Sequence, residues 1–299
     1  MKRLIVLPLV MAAMFLAWGS VAPARAQDSA KDDKPTFYHL VPGTYVNGWP
    51  RFTVHYPRHW VERHPMPQEF FRASAPGPVP SPAFVYAPGA PNRPPLDKFA
   101  EYVASMFKNM ATDVTIISDK PSRLRDGTPA REFELRMLLN GAPDNVMGLV
   151  AQKGDVLVNM GVDSPNGKIG EDLKAIIYSI EFEPDKDKPV KVPPDVQEFL
   201  DKHNNDVVSH DLAKVMAHYS DRYLNSGEKK GEVERWWRMM IGSVTSNNMA
   251  VTDFVAEGDR VYLAGFVKTN SGTIQISETS IIKENGEWKW YGNQRDVAP

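Results

Sequence analysis

The chain of 299 residues contains no cysteine. This absence excludes disulfide bonds, thiolate nucleophiles, cysteine-ligated zinc, iron–sulfur clusters and covalently attached haem. The sequence also lacks the P-loop, the dinucleotide fingerprint, the G-x-S-x-G element of hydrolases, the H-E-x-x-H zinc element and the EF-hand pattern. We therefore expect no cofactor, and the sequence disfavours phosphate, dinucleotide and serine-hydrolase chemistry.

Basic residues are too few and too scattered for a protein that binds polyanions. The chain has 35 Lys and Arg against 37 Asp and Glu, a net charge of −2. Loss of a leader at residues 1–26 would lower the basic count to 32 and the net charge to −5. A mildly acidic chain without a basic stripe predicts no nucleic-acid partner.

The first 26 residues have the pattern of a cleaved secretory signal. Lys2 and Arg3 precede an apolar run over residues 4–18, and Ala24 and Ala26 supply small residues at the −3 and −1 positions. A run of this length is short of the roughly 20 residues that span a bilayer. The sequence thus predicts a periplasmic or secreted protein cut near Ala26, with an uncleaved anchor as the alternative.

The composition changes at EPDKDKPVKVPPD, residues 183–195. Alternating charges and prolines cannot form a core, whereas the stretches on either side each carry enough apolar pattern for one. We expect an α+β protein of two modules, residues 35–184 and 195–299, joined by a hinge-like linker at residues 185–194.

The first module alternates apolar and polar residues in several short runs, as half-buried strands do. Two segments instead have the helical spacing of an amphipathic stripe. The predicted strands are 51–57, 83–87, 114–118, 131–139, 146–152 and 156–162, and the predicted helices are 96–110 and 171–182.

The module contains a strand that ends in Y-P-x-x-W, a three-strand meander, and a final helix that runs into I-x-x-S-I-x-F. In these features it resembles the PsbP-like family. The resemblance implies an α-β-α sandwich around an antiparallel sheet and an accessory or binding role, without catalytic residues. The residues that carry it are Tyr56, Pro57, Trp60, Ile176, Ser179 and Phe182.

The second module places three predicted helices before a run of strands that are joined by short turns. Asp195 is expected to cap the first helix. The predicted helices are 193–208, 211–219 and 231–244, and the predicted strands are 249–258, 259–269, 272–284 and 287–294.

The run of strands ends in N-G-x-W-K-W at residues 285–290, and Y-S-D-R-Y-L at residues 219–224 lies between helices. This order resembles the nuclear transport factor 2-like superfamily, which includes ketosteroid-isomerase-like and polyketide-cyclase-like proteins. The resemblance implies a curved antiparallel sheet that wraps around a helix to form a cone-shaped α+β barrel with a ligand pocket. It also implies a homodimer through the outer face of the C-terminal sheet. The residues that carry it are Tyr219 to Leu224, Asn285, Gly286, Trp288, Lys289 and Trp290.

Two ionisable residues interrupt apolar faces of the second module. His203 lies on the inward stripe of the first helix, and Glu278 alternates with apolar residues on a strand. If both pointed into the cone, burial would shift their pKa values and they could act as acid and base. We expect Tyr262 and Trp290 to line the same pocket. A purely structural role for His203 and Glu278 is the competing interpretation.

Other chemical sites are weaker. His55, His59 and His64 do not share a helical face, so we expect no metal site there. The pair Trp236-Trp237 is predicted to pack in the core, because both lie near the apolar stripe of the third helix.

Two functions remain open. The first is an exported, non-enzymatic accessory protein whose cone holds a small apolar ligand or a protein partner in the envelope. The alternative is an isomerase, dehydratase or cyclase that uses His203 and Glu278.

Overall fold

A computed structural model gives the structure of the protein and describes residues 35–39, 41–65, 69–76, 82–86, 94–153, 156–165 and 167–297. The predicted secretory signal lies outside the described residues. No helix within these ranges is long and apolar enough to cross a membrane.

A seven-stranded antiparallel sheet dominates the N-terminal half, which we define as residues 35–183, and its strand order is β3-β4-β5-β9-β8-β7-β6. A second sheet has the order β1-β2-β10. The alternation predicted for 131–139 is confirmed, because Phe133, Leu135 and Met137 are buried. The strands are β1 (Thr44–Asn47), β2 (Phe52–His55), β3 (Val61–Glu62), β4 (Glu69–Ser74), β5 (Pro82–Tyr86), β6 (Thr112–Arg123), β7 (Pro129–Leu139), β8 (Ala142–Lys153), β9 (Val156–Ser164) and β10 (Glu181–Phe182).

Helices cover the seven-stranded sheet on both sides. Helix α1 (Phe99–Phe107) follows a 3-10 turn at Leu96–Lys98 and packs on one face. Helix α2 (Glu171–Ile177) packs on the other face, together with the small sheet. The helix expected over 171–182 ends early because Phe182 pairs with Phe52 as a strand residue.

The C-terminal half, residues 193–297, places its helices before its main sheet, which has the order β13-β14-β15-β16. The α+β class is therefore confirmed. The core between helices and sheet takes Phe199 and Leu200 from α3, Leu263 from β14 and Ile281 from β15. The elements are α3 (Pro194–Val208), α4 (Leu212–Ala217), β11 (Leu224–Asn225), β12 (Glu228–Lys229), α5 (Lys230–Met240), β13 (Asn247–Glu257), β14 (Arg260–Thr269), β15 (Gly272–Glu284) and β16 (Glu287–Trp290).

The other face of the four-stranded sheet packs against the N-terminal half. Side chains alternate along a strand, so Tyr262, Ala264 and Phe266 leave β14 on the side opposite Leu263. The Tyr262 ring stacks on Tyr38 with centroids 4.5 Å apart. The described residues between 35 and 297 form one compact unit.

A glycine allows the two halves to approach closely. The Gly48 nitrogen donates to the Ser277 carbonyl over 2.9 Å. A Cβ atom at Gly48 would lie 2.2 Å from that oxygen and 2.3 Å from the Ala264 Cβ. No other residue fits this position without moving the backbone.

The segment predicted as a solvated hinge is fixed by contacts with both halves. Asp187 accepts a hydrogen bond from the Arg51 nitrogen over 2.7 Å. The Val190 nitrogen donates to the Val251 carbonyl over 2.8 Å, which extends the edge of β13, and Val192 is buried in the core under α3. Tertiary partners thus order a segment whose own composition favours solvation.

Two carboxyl groups lie side by side in the seven-stranded sheet. Asp163 on β9 is paired with Val146, two residues from Asp144 on β8. Burial, followed by a hydrogen bond and repulsion from Asp144, raises the pKa of Asp163 to about 8, and the charge of Arg72 opposes this rise. The two neighbouring carboxyl groups therefore retain a proton between them at neutral pH.

This acid pair predicts a loss of stability in alkaline solution. The folded-state pKa lies above the value of about 4 for an unfolded aspartic acid. Its contribution to folding is present below pH 4 and is lost as the pH rises through about 8. We expect Asp163→Asn to be more stable than the wild type at pH 9, on the order of 2 kcal/mol, by urea unfolding.

The matched control is Asp185→Asn, because the Asp185 side chain is fully exposed. It should unfold like the wild type at every pH. An Asp163→Asn variant with no stability gain between pH 6 and pH 9 would show that the pair holds no extra proton.

Candidate functional site

His203 lies on the buried side of α3, where the spacing of apolar residues predicts it, and is 7% exposed. Its ring contacts aromatic side chains from α5, from β16 and from the chain that follows α4. We call this set the His203 cluster, and it comprises Phe199, His203, His218, Tyr219, Trp237 and Trp290.

Edge-to-face contacts hold the cluster together. The His203 ring centroid lies 5.3 Å from that of His218, 6.1 Å from Tyr219, 6.2 Å from Trp237 and 5.5 Å from Trp290. The preferred geometry of aromatic pairs places ring edges against ring faces at such distances. The interior around His203 is therefore filled by side chains of the protein itself.

Backbone hydrogen bonds hold two parts of the cluster together, namely the segment that carries His218 and Tyr219 and the strand that carries Trp290. The Trp290 nitrogen donates to the His218 carbonyl over 2.7 Å, and the Ser220 nitrogen donates to the Trp290 carbonyl over 3.0 Å. The chain after α4 thus runs alongside β16, where Tyr219 and Trp290 form a parallel bridge. This pairing positions His218 and Tyr219 against α3.

Hydrogen bonds satisfy some of the polar atoms in the cluster. The Trp237 Nε1 donates to the Tyr219 hydroxyl over 3.0 Å. The His218 Nε2 donates to the Asp206 carboxylate over 2.7 Å. Burial raises the pKa of Tyr219 to about 12. The polar atoms of these groups are therefore bound to other side chains of the protein.

His203 Nδ1 and Trp290 Nε1 are different, because both are buried and neither has a hydrogen-bond partner among the described residues. Burial, together with the positive charge that His218 can carry, lowers the pKa of His203 to about 3. The imidazole is therefore neutral at physiological pH. A base of this strength is poorly matched to proton abstraction near pH 7.

Glu278 lies in a separate cluster between the two halves. Its side chain is 7% exposed and pairs with Arg295. The same guanidinium binds Glu62 of β3 over 3.2 Å. Burial raises the pKa of Glu62, and Arg295 opposes this rise. We call Glu62, Glu278 and Arg295 the junction cluster.

The structure brings together two of the four residues predicted for the pocket. His203 and Trp290 are in ring contact, whereas Glu278 belongs to the junction cluster and Tyr262 stacks on Tyr38. Alternation grouped Glu278 with Ile274 and Ile276, which is wrong, because the register of β15 against β14 shifts by one residue between Ile276 and Thr279. His218 and Arg295 were missed, because neither stands out by spacing or sequence context.

A third feature is an exposed apolar surface at one end of the C-terminal half. Trp237 is buried as predicted, but its neighbour Trp236 is 40% exposed and Met239 is 71% exposed. Successive side chains point about 100° apart around the axis of a helix. Only one of the two adjacent tryptophans therefore faces the core. Their rings contact at 4.8 Å, which holds Trp236 in place.

The sheet contributes apolar residues at the same end. Met249, Val267 and Ile274 are register partners across three strands, and Ile274 is 41% exposed. Asn270, in the turn between β14 and β15, accepts from the Thr245 nitrogen over 2.9 Å and donates to the Ser243 carbonyl over 3.1 Å. These bonds hold the turn beside the chain that follows α5.

The three histidines considered for a metal have other contacts or lie apart. His55 shares a hydrogen bond with the Thr44 hydroxyl over 3.1 Å, and His64 Nδ1 donates to its neighbour's carbonyl over 2.9 Å. Over the described ranges, no group of three or more His, Asp or Glu side chains is arranged to hold a metal ion.

No protein-family model matches the chain, and no curated protein does. A solved protein from Bacteroides thetaiotaomicron VPI-5482 has 11% identity and a TM-score of 0.34 over 84% of this chain and 89% of that chain. The protein of unknown function PA94 from Pseudomonas aeruginosa has 13% identity and a TM-score of 0.26 over 41% of this chain and 80% of that chain. Bd1075 from Bdellovibrio bacteriovorus has 9% identity and a TM-score of 0.28 over 81% of this chain and 92% of that chain. Nothing about this chain's function follows from similarities of this size.

The junction cluster gives a prediction on stability. Arg295→Met leaves two buried carboxylates without their cation, and breaking a buried pair in this way costs about 3 kcal/mol. We expect the free energy of unfolding in urea to fall by that amount. Adding Glu278→Gln should recover part of the loss, because it removes one unpaired charge.

Arg222→Met is the matched control, since Arg222 pairs with Glu284 from an exposed position. Exposed ion pairs contribute little to stability, so this variant should unfold as the wild type does. Equal urea midpoints for Arg295→Met and Arg222→Met would contradict a structural role for the junction cluster.

Proposed function

We propose that the protein is an exported, non-enzymatic binding protein that holds a protein partner through the exposed face of α5. The observation that carries this proposal is the exposure of Trp236 and Met239 one helical turn apart. Large apolar side chains that are exposed together mark interaction sites more often than chance.

The composition of this face supports a protein partner. Arg235 and Arg238 flank the two apolar residues with exposed guanidinium groups, each paired with a glutamate on the same helix. Tryptophan, methionine and arginine are the residue types enriched at protein–protein interfaces. Trp236 is also held by Trp237, so little conformational entropy is lost when a partner covers it.

The shape of the face supports the same choice. Small-molecule sites are concave and enclose most of the ligand, whereas Met239 projects from the convex surface of a helix. A partner's apolar groove fits such a surface better than a small molecule does.

Two observations disfavour the enzymatic alternative. His203 lies among aromatic rings on the helix side of the sheet, whereas Glu278 binds Arg295 at the contact with the N-terminal half. The low pKa of His203 also makes it a weak base. Turnover of a small substrate that disappears in Glu278→Gln would overturn the non-enzymatic proposal.

Photocrosslinking in the intact host envelope tests the proposed surface. We expect a benzoylphenylalanine at position 239 to yield one discrete adduct with an envelope protein, identified by mass spectrometry. The matched control places the crosslinker at Met110, which is 52% exposed but belongs to the N-terminal half. This position should give no such adduct.

Affinity measurements with the identified partner complete the test. Truncating a central aromatic anchor commonly costs 2 kcal/mol or more, roughly a thirtyfold loss of affinity. We expect Trp236→Ala to show this loss and Met110→Ala to bind as the wild type does. Equal affinities for the two variants would show that the partner binds elsewhere.

Export has its own test. If the leader is removed as proposed, the mass of the protein in the host envelope should correspond to a chain that begins at Gln27. An intact N-terminus at Met1 would instead favour an uncleaved anchor and would leave the proposed surface on α5 unaffected.

A further inference from the structure

Methionine is the only residue type in this chain that contains sulfur, because the sequence has 13 methionines and no cysteine. Thiols and thioethers are the side-chain groups that peroxides oxidise most readily. No thiol competes here, so a peroxide that reaches this protein reacts with its methionine thioethers. The exposure of each sulfur decides which of them react first.

The fold protects several methionines and leaves others open to solvent. Met137 and Met160 are 0% exposed, and Met147 is 3% exposed. Met239 is 71% exposed, and Met110 in the N-terminal half is 52% exposed. A peroxide in solution therefore meets the sulfur atoms of Met239 and Met110 directly, whereas the core shields those of the other three.

Met239 lies beside the residues of α5 that the proposed partner contacts. It follows Trp236 by three residues and Arg235 by four, and side chains at these two spacings are neighbours on a helix. Long helical side chains lean toward the N-terminus of their helix, so the thioether extends over the turn that carries these two residues. The Trp236 ring is held by its contact with Trp237 at 4.8 Å. A change of polarity at Met239 therefore alters the surface around a fixed aromatic side chain.

Oxidation of this thioether would oppose the burial of the face. Methionine sulfoxide is polar, whereas methionine is apolar. A partner that covers the sulfoxide oxygen removes it from water, and this is unfavourable unless the partner supplies a hydrogen-bond donor. An apolar groove that fits Trp236 and Met239 has no such donor.

We propose that Met239 is a site of oxidation by peroxides, and that its sulfoxide releases the partner from the α5 face. The sulfur lone pair attacks one oxygen of hydrogen peroxide, so an S–O bond forms and the O–O bond breaks. The proton of the attacked oxygen passes to the departing oxygen, which leaves as water. The sulfur loses two electrons and the peroxide gains them. The effect on binding rests on the proposed function, whereas the oxidation depends only on the exposed sulfur.

Peptide mapping of the folded protein after a short exposure to hydrogen peroxide tests the modification site. We expect sulfoxide at Met239 and Met110, while Met137 and Met160 stay unmodified because their side chains are buried. The control is the protein unfolded in urea, in which all four should react alike. Equal oxidation of Met239 and Met160 in the folded protein would overturn the proposal.

Photocrosslinking in the intact host envelope tests the effect on binding. The crosslinker benzoylphenylalanine is placed at Arg235, one turn before Met239, so that the thioether stays intact. Burial of an unsatisfied polar group should weaken binding about tenfold, and we expect peroxide to lower the yield of the adduct accordingly. Methionine sulfoxide reductases with a dithiol should restore it, since they return the sulfoxide to the thioether.

Two variants separate oxidation of Met239 from oxidation of the partner. Met239→Leu keeps an apolar side chain of similar volume and has no thioether at this position. Peroxide should not lower its adduct, whatever yield it starts from. Met110→Leu is the matched control and should lose its adduct as the unsubstituted chain does. An equal loss in both variants would place the sensitive group on the partner and would overturn the proposal.

The two proposals about α5 fail in different ways. An adduct that peroxide leaves unchanged, in protein whose Met239 is shown to be oxidised, would keep the proposed function and overturn this inference. No adduct from position 235 in untreated envelopes would contradict the partner on α5, and the effect of the sulfoxide on binding would fall with it. The peptide map would still decide whether Met239 is the oxidised site.

Discussion

Other parts of the same chain bury both faces of the four-stranded sheet, and the remaining features depend on this constraint. The helix side takes Leu263 and Ile281 into the core under α3. The opposite side takes Ala264 into a second small core with Phe37 and Val46. Burial of apolar surface stabilises the folded state by about 25 cal/mol for each Å². The contacts on both faces of the sheet therefore favour folding. The C-terminal sheet is consequently an internal layer of the molecule.

This arrangement bears on the homodimer that the resemblance implies. The outer sheet face would have to be free in order to pair with a second copy. Here Tyr38 stacks on Tyr262, and Trp49 contacts Phe266 with ring centroids 4.7 Å apart. A dimer through that face would need to displace these contacts, whereas the exposed face of α5 needs no such rearrangement.

Burial of the second face also explains why a charged cluster lies at the contact between the halves. Glu278 shares the buried side of the sheet and requires a cation there, because an unpaired buried carboxylate is costly. Arg295 supplies it from the last residues of the chain. The Gly227 nitrogen donates to the Arg295 carbonyl over 2.8 Å, which fixes the backbone of this residue. The C-terminal residues therefore help to hold the two halves together.

The sequence predicted most of the helices and long strands because their signals are local, but it missed the short strands β1 and β4. Alternation and helical spacing depend only on neighbouring residues, and they correctly placed His203 on a buried helix face. They could not show that Glu278 would face Arg295, since that contact depends on how two distant segments pack. The same limit applies to the linker, where Val192 is buried by α3 although the residues around it are polar and proline-rich.

The tryptophans illustrate how much of the candidate site is structural. Trp237 and Trp288 donate their indole N–H groups to Tyr219 and Asp195, so their polar atoms are used within the protein. Trp290 is as deeply buried as Trp237, but its N–H has no acceptor in the part of the chain that the structure describes. A buried donor that lacks a partner is costly unless something outside the chain satisfies it. The unpaired indole N–H of Trp290 is thus a property of this aromatic core that residue types and spacing alone do not reveal.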